Sequence, residues 1–356
     1  MKIGIYCTNN IVYPVPAGTI YANMQIAGVL ADKLVDLGHE VTFFAPIGTQ
    51  TKAKLVTFNM LPFSEKQIFE QYNHPSSSYQ YENIMLIQAL NYSEEHEIEI
   101  FQSHTRPFSI IDFAPLKPNL PVVITVHDPL SDDAYKLFPN YQQFDNLYFT
   151  SISKAQEKTC AGINWYGTIY NGIDENLWQF SDTHEDYLLY VGRILPDKGA
   201  DSAVEIALKT NHKLLIAGSF YEKDHAFFDE KIKPFLGEQI QHLGSISQSD
   251  LIPYYQKAKA LLLPLRWEEP FGLVMIEAMA SGTPVITTNH GAAPEIVIDG
   301  QTGYIVKDGH TSNDFVNSVN SLDQINRADC RKHVEDKFTL NHMAQNYASL
   351  YKTILG

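Results

Sequence analysis

Trp267-Glu268-Glu269-Pro270-Phe271-Gly272-Leu273-Val274-Met275-Ile276-Glu277-Ala278-Met279-Ala280-Ser281-Gly282-Thr283-Pro284-Val285-Ile286 reads as a turn, a short helix and the start of a strand. From Leu273 to Ala280 every residue but one is apolar. Such a helix has no face for water, so it must be covered on all sides. Glu277 is the exception, and an ionised carboxylate there is costly unless it is paired or accepts hydrogen bonds. Glu269, eight positions earlier, stands just before the helix, where Pro270 and Gly272 turn the chain. The first N–H groups of a helix lack partners, so that end can hold an anion.

Outward from this stretch, short β-rich runs alternate with helical ones, the mark of a parallel sheet covered by helices. In the first half the spacing predicts strands at Lys2–Cys7, Glu40–Ala45, Lys54–Phe58, Ile98–Gln102, Val122–His127 and Leu147–Ser151. A helix over 20–37 ends at Gly38, a favourable residue just past a helix, and feeds the second strand. The alternation restarts at Tyr187–Val191 and continues through Lys213–Ala217, Ile240–Leu243, Ala260–Leu263 and Val285–Thr288. Between the halves, Ile169-Tyr170-Asn171-Gly172-Ile173-Asp174 carries an Asn-Gly turn signal that fits a hinge. These signals predict an α/β chain of two domains, 1–170 and 171–337, followed by an amphipathic segment, 338–356. In that segment Met343, Tyr347, Leu350, Tyr351 and Ile354 share a face. Residues 75–81, Pro75 to Tyr81, read as a surface loop.

The chain has 356 residues, 44% of them hydrophobic, enough for two cores of ordinary size. A net charge of −15 argues against a nucleic-acid or anionic-membrane partner held by bulk electrostatics. Cys7, Cys160 and Cys330 are far apart, which suggests a reducing compartment and no metal cage. No apolar run reaches the length of a membrane span, and the opening residues read as a strand rather than a signal peptide. The expectation is a cytoplasmic protein without a transmembrane segment, peripheral membrane association being left open.

Several further residues fall where strands end. Gly192-Arg193-Ile194-Leu195-Pro196-Asp197-Lys198-Gly199 places two cations and two glycines between a strand and a helix start, a position suited to a diphosphate. Arg193 offers forked donors and Lys198 a point charge. The alternative is a solvated turn with surface charges. His127, in Thr125-Val126-His127-Asp128-Pro129, should lie at the carboxyl edge of its strand; a core or capping role is the alternative. Ser103-His104-Thr105-Arg106 lies at another such edge, where His104 and Arg106 could meet an acceptor or simply cap a loop. Gly18 and Thr19 occupy the loop before the first helix. Asp132-Asp133 reads as a helix start rather than a metal site. The chain lacks a dinucleotide glycine fingerprint, a P-loop and a nucleophile elbow.

Glu269 and Glu277 in this setting resemble the Glu-x7-Glu signature of retaining glycosyltransferases of the GT-B fold, family four. The resemblance implies two Rossmann-like domains facing a cleft, with the final helix returning to the first domain. It implies that Glu277 holds the ribose hydroxyls of a nucleotide-sugar and Glu269 the transferred sugar. Arg193 and Lys198 would clamp the diphosphate, and His127 would contact the sugar ring. Donor contacts from Gly18, Phe271, Gly272, Leu273, Gly218 and Ile246 are implied too, and Thr19, His104 and Arg106 fall on the acceptor side. The family commonly has paired glycines where this chain has Gly18-Thr19, a departure. The activity implied is metal-independent transfer from a nucleotide-diphosphate sugar to a carbohydrate, lipid-linked or small-molecule acceptor, with retention and no other cofactor. An epimerase or phosphorylase of the same fold, or a catalytically silent sugar-nucleotide-binding module, are the competing readings.

Overall fold

Ile3, Ile5 and Tyr6 in β1 (Lys2–Tyr6) are wholly buried, as a strand covered on both faces requires. In the computed structural model β1 pairs in parallel with β2 (Glu40–Phe44) and β4 (Ile100–Ser103). The structure describes residues 1–16, 19, 21–72, 74, 76–129, 133–159, 162–307 and 311–356. Gly18, Asp132 and Cys160 lie outside them.

The chain divides into two units, Met1–Gly172 with Leu340–Gly356, and Ile173–Thr339. In the first, β3 (Lys54–Val56), β5 (Val122–Thr125), β6 (Leu147–Ser151) and β7 (Trp165–Thr168) complete a sheet of order β3-β2-β1-β4-β5-β6-β7 among the described residues. In the second, β8 (Tyr187–Val191), β9 (Lys213–Ala217), β10 (Ile240–Gly244), β11 (Ala260–Leu263), β12 (Val285–Thr288) and β13 (Gly303–Val306) run β10-β9-β8-β11-β12-β13. Every pairing is parallel. Each sheet is Rossmann-like, and in each the strand order reverses once, between β1 and β4 and between β8 and β11. Those reversals send the flanking connections apart and leave a crevice at the carboxyl ends.

The expected strands form, those of the first unit mostly trimmed by a residue or more at an end and those of the second kept to within a residue. β7 and β13 are additional: Trp165–Thr168 is half exposed and Gly303–Val306 opens on a glycine, so neither carries a strong apolar run. Ser77–Tyr81 is helical rather than loop, the first turn of the helix Ser77–Glu95. Met85, Leu86, Ala89 and Leu90, at helical spacing, bury the later turns and stabilise the polar first one. The Asn171-Gly172 signal does not make a turn. Asn171 is buried and the Gly172 N–H meets Sδ of Met343 at 3.4 Å; the turn comes later, where Asp174 C=O accepts from Leu177 N–H at 3.0 Å.

The helix Leu340–Leu355 belongs to the first unit and packs beside the helix Ala22–Asp36. Its buried face includes Met343, Tyr347 and Tyr351, as the amphipathic pattern predicts, but the two tyrosine hydroxyls are used. Tyr347 Oη meets Thr125 Oγ1 at 2.9 Å and Tyr351 donates to Gln102 Oε1 at 3.0 Å, while Gln102 Nε2 donates to Thr125 Oγ1 at 2.9 Å. A buried polar chain satisfied in this way fixes the register of the helix as apolar packing alone would not. Among the described residues no helix is long and apolar enough to cross a membrane.

Candidate active site

In the second unit the crevice between β8 and β11 gathers the residues of the opening stretch. After β8 the chain passes Arg193 and makes a single tight turn at Pro196–Lys198 before the helix Ala200–Thr210. After β11 comes Trp267-Glu268-Glu269. Lys198 Nζ and Glu269 Oε2 lie 2.6 Å apart, with only 17% and 13% of their side chains exposed. Burial pulls the Lys198 ammonium below its usual range, and Glu269 opposes that pull. Trp267 Nε1–H donates to the same Oε2 at 3.0 Å, and Lys198 Nζ stands 3.9 Å from the centre of the Trp267 ring. Arg193 is more exposed; its NH1 donates to Tyr221 Oη at 2.7 Å, and its guanidinium lies over the Tyr221 ring.

Backbone holds the Glu269 segment from behind. Ala292 N–H donates to Glu269 C=O at 2.8 Å, and Gly291 N–H donates to Glu268 Oε2 at 2.6 Å. At Gly291 an added Cβ would lie 2.2 Å from Glu269 O, so the two loops touch through backbone. The helix Leu273–Ala280 then starts from Gly272, which is left-handed at φ +91°.

Glu277 is the buried carboxylate that the sequence singled out, 8% exposed. Among the described residues no cation pairs with it. Instead Tyr255 donates to Oε2 at 3.1 Å and Gln248 Nε2 to Oε1 at 3.3 Å. Burial pushes its carboxyl up to about 7 and these two donors restrain the rise. Neither Tyr255 nor Gln248 is marked by sequence: both sit on the helix Gln248–Lys257, whose Tyr255 reads as ordinary core.

The other donor-side residues fall into two kinds. Phe271 is buried and its ring packs edge-on to Phe338 6.1 Å away, so its side chain belongs to the core. Leu273 and Ile246 are half-buried at the helix start and after β10. Gly218 follows β9, its N–H bonded to Gly244 C=O at 2.8 Å, and an added Cβ would lie 1.8 Å from Gly192 O.

In the first unit the structure joins two residues that the sequence reading kept apart. His104, after β4, and His127, after β5, meet with Nδ1 and Nε2 2.9 Å apart. One ring must donate and the other accept, so the pair cannot hold a proton on both facing nitrogens. Burial pulls His127 down to about 4, and pulls His104 well below the usual range with His127 adding to the effect. Both imidazoles are neutral near pH 7. His104 is wholly buried, with Nε2 lacking a partner among the described residues. Thr19 and Arg106 are exposed at their loops. Near Arg106, Thr105 Oγ1 donates to Glu82 Oε1 at 3.3 Å, and burial raises the Glu82 carboxyl. Among the described residues no group of three or more His, Cys, Asp or Glu could hold a metal ion.

Known proteins share the sequence pattern and the fold. Residues 174–336 match the model for glycosyl transferases group 1, and residues 27–177 match that for glycosyltransferase family 4. The two matches fall one after the other along the chain, and together they support a GT-B glycosyltransferase of family four type. The chain is 35% identical over 174 residues to the glycogen synthase of Mycobacterium tuberculosis, a match to 46% of this chain and 42% of that protein. It thus spans less than half the length of that relative. Among solved structures, AviGT4, a glycosyltransferase involved in avilamycin A biosynthesis, superposes with a TM-score of 0.74 at 20% identity, covering 100% of this chain and 98% of its own. Anabaena HepE in complex with UDP and glucose gives 0.72 at 16% identity, covering 99% and 100%. At such identities the two structures speak for the fold alone.

Proposed function

We propose that this glycosyltransferase moves a sugar from a nucleotide-diphosphate donor to an acceptor hydroxyl, with retention at the anomeric carbon and without a metal ion. The observation that carries the reading is the convergence, at one crevice of one sheet, of Arg193, Lys198, Glu269 and Glu277. Two cations answer a diphosphate; a carboxylate with free lone pairs answers a ribose diol. A donor bound there would lose its nucleotide diphosphate as negative charge builds on the leaving oxygen, which Lys198 and Arg193 stabilise without moving. Glu269 would orient the sugar. Departure and attack on the same face give retention, with neither carboxylate forming a covalent bond. Protein cations in place of a metal support metal independence.

HepE was crystallised with UDP and glucose, which makes a UDP-sugar the first donor to try. Purified full-length protein incubated with UDP-glucose and other nucleotide-sugars, with released nucleotide diphosphate read by chromatography, tests the proposal. Release of nucleotide diphosphate with sugar appearing on water or an added acceptor supports it, and activity should persist in excess chelator. Epimerisation of the intact donor without release would favour the rival activity. No turnover of any donor together with no binding of UDP would overturn it.

A further inference from the structure

We propose that Trp267 is a positioning residue that locks Lys198 and Glu269 into one geometry for sugar transfer, an inference that rests on the reading above. Three contacts form a closed triangle: Lys198 Nζ to Glu269 Oε2 at 2.6 Å, Trp267 Nε1 to the same oxygen at 3.0 Å, and Lys198 Nζ over the indole at 3.9 Å. Lysine and glutamate are long and rotamer-rich, and an ion pair between them does not by itself fix either one. The indole is rigid, and it meets both partners by chemistry each requires. Its N–H donates to the carboxylate, and its face attracts the ammonium, a contact worth more where water is thin.

The choice of oxygen matters. Both protein donors land on Oε2, and Oε1 of Glu269 has no protein donor among the described residues. The triangle therefore turns one carboxylate oxygen toward the protein and leaves the other for a sugar hydroxyl. It also holds the ammonium in place before charge develops on the leaving group, the preorganisation that such stabilisation needs. A tryptophan kept only to fill the core would have no need of a carboxylate for its N–H.

The test uses full-length protein and two readouts. The chain has three tryptophans, Trp165, Trp178 and Trp267, so its indole N–H resonances are few, and the one lost in Trp267→Phe is assigned. In the triangle that resonance moves in both Lys198→Ala and Glu269→Gln. If it moves in neither, the geometry is wrong, whatever the protein catalyses. The second readout is turnover of the donor that wild type uses. Trp267→Phe keeps a ring under Lys198 and loses the N–H, and should lower kcat about tenfold with KM for the donor changed less than about threefold. In the Glu269→Gln background the same change should cost less than about twofold. Additive losses in the two backgrounds would overturn the proposal, since Trp267 would then act without Glu269. If wild type neither turns over a donor nor binds UDP, the glycosyl-transfer reading fails and the positioning role fails with it, while the resonance still decides the geometry.

Discussion

Tyr255 donates its hydroxyl proton to Oε2 of Glu277 at 3.1 Å, and that bond stands where an ion pair would be expected. Gln248 serves the other oxygen at 3.3 Å. A carboxylate has about four lone-pair sites. Two neutral donors leave capacity on both oxygens, and among the described residues they bring no cation to the charge.

That arrangement has a consequence for stability. Burial raises the Glu277 carboxyl from 4.5 to about 7. Between those values the native state holds a proton that the unfolded state has lost, so stability falls as pH rises through the window. Above pH 7 the buried charge is fully unfavourable. Glu277→Gln should therefore raise stability at pH 8 by about 1–3 kcal/mol, with the gain vanishing below pH 4.5. Thermal unfolding of both proteins across this range checks it; a lowered melting temperature at pH 8 would make Glu277 a structural residue.

The histidine pair works in the opposite direction. Burial lowers His127 from 6.5 to about 4, so within that window the unfolded state binds the extra proton and stability rises with pH. The folded protein should lose stability as pH falls from 6.5 toward 4. His127→Gln should flatten this loss. Equal acid sensitivity of the two proteins in melting experiments would show that His127 titrates freely.

For the cationic residues the expected outcome is kinetic. Arg193→Ala and Lys198→Ala should each remove about 2–4 kcal/mol of transition-state stabilisation, roughly 30- to 1000-fold in kcat/KM. Lys198→Ala leaves Glu269 without its cation, so its loss should shrink in the Glu269→Gln background. Wild-type rates in both single variants would remove the diphosphate assignment.

Backbone approach at Gly218 gives a structural test. A Cβ there would meet Gly192 O at 1.8 Å, so Gly218→Ala must push β9 away from the loop that carries Arg193. A cost of about 2–4 kcal/mol is expected, with weaker UDP binding. Gly38→Ala is the control: Gly38 has φ +84° and open space around it, and should cost only about 1 kcal/mol. Equal melting temperatures for the two variants would contradict the packing at Gly218.

Much of this was legible in the chain because both sheets are buried on two faces. Tyr187–Val191 and Ala260–Leu263 are unbroken apolar runs, and such runs between helices specify a parallel sheet. Glu277 was legible for the converse reason, as a charge that packing does not explain. The strands that escaped, β7 and β13, lie at sheet edges, where half-exposure dilutes the pattern. Partners escaped as well. Nothing local in Trp267, Tyr221, Tyr255 or His104 says which residue each meets: the bond from Trp267 to Glu269 is two residues long, but its contact with Lys198 and those of the other three join segments that only the sheet order brings together.

The last expectation concerns the nucleotide itself and isolates the proposed role of Glu277. If its two oxygens accept from the ribose 2′- and 3′-hydroxyls, removing one hydroxyl removes one charge-assisted bond, about 1–3 kcal/mol. Wild type should then bind UDP about 5- to 150-fold more tightly than 2′-deoxy-UDP in calorimetric titration. Glu277→Gln keeps the shape and loses the charge, so UDP affinity, which loses strength in both bonds, should fall further than 2′-deoxy-UDP affinity, which loses it in the 3′ bond alone, and the ratio between them should shrink toward one. The pH dependence adds a second handle. Protonation near pH 7 converts wild type into a near-copy of the variant, so the preference for the ribonucleotide should weaken from pH 8 to pH 6 in wild type and stay flat in Glu277→Gln. A ratio unchanged by both substitution and pH would leave Glu277 with no part in holding ribose, and the crevice would need another explanation for its buried charge.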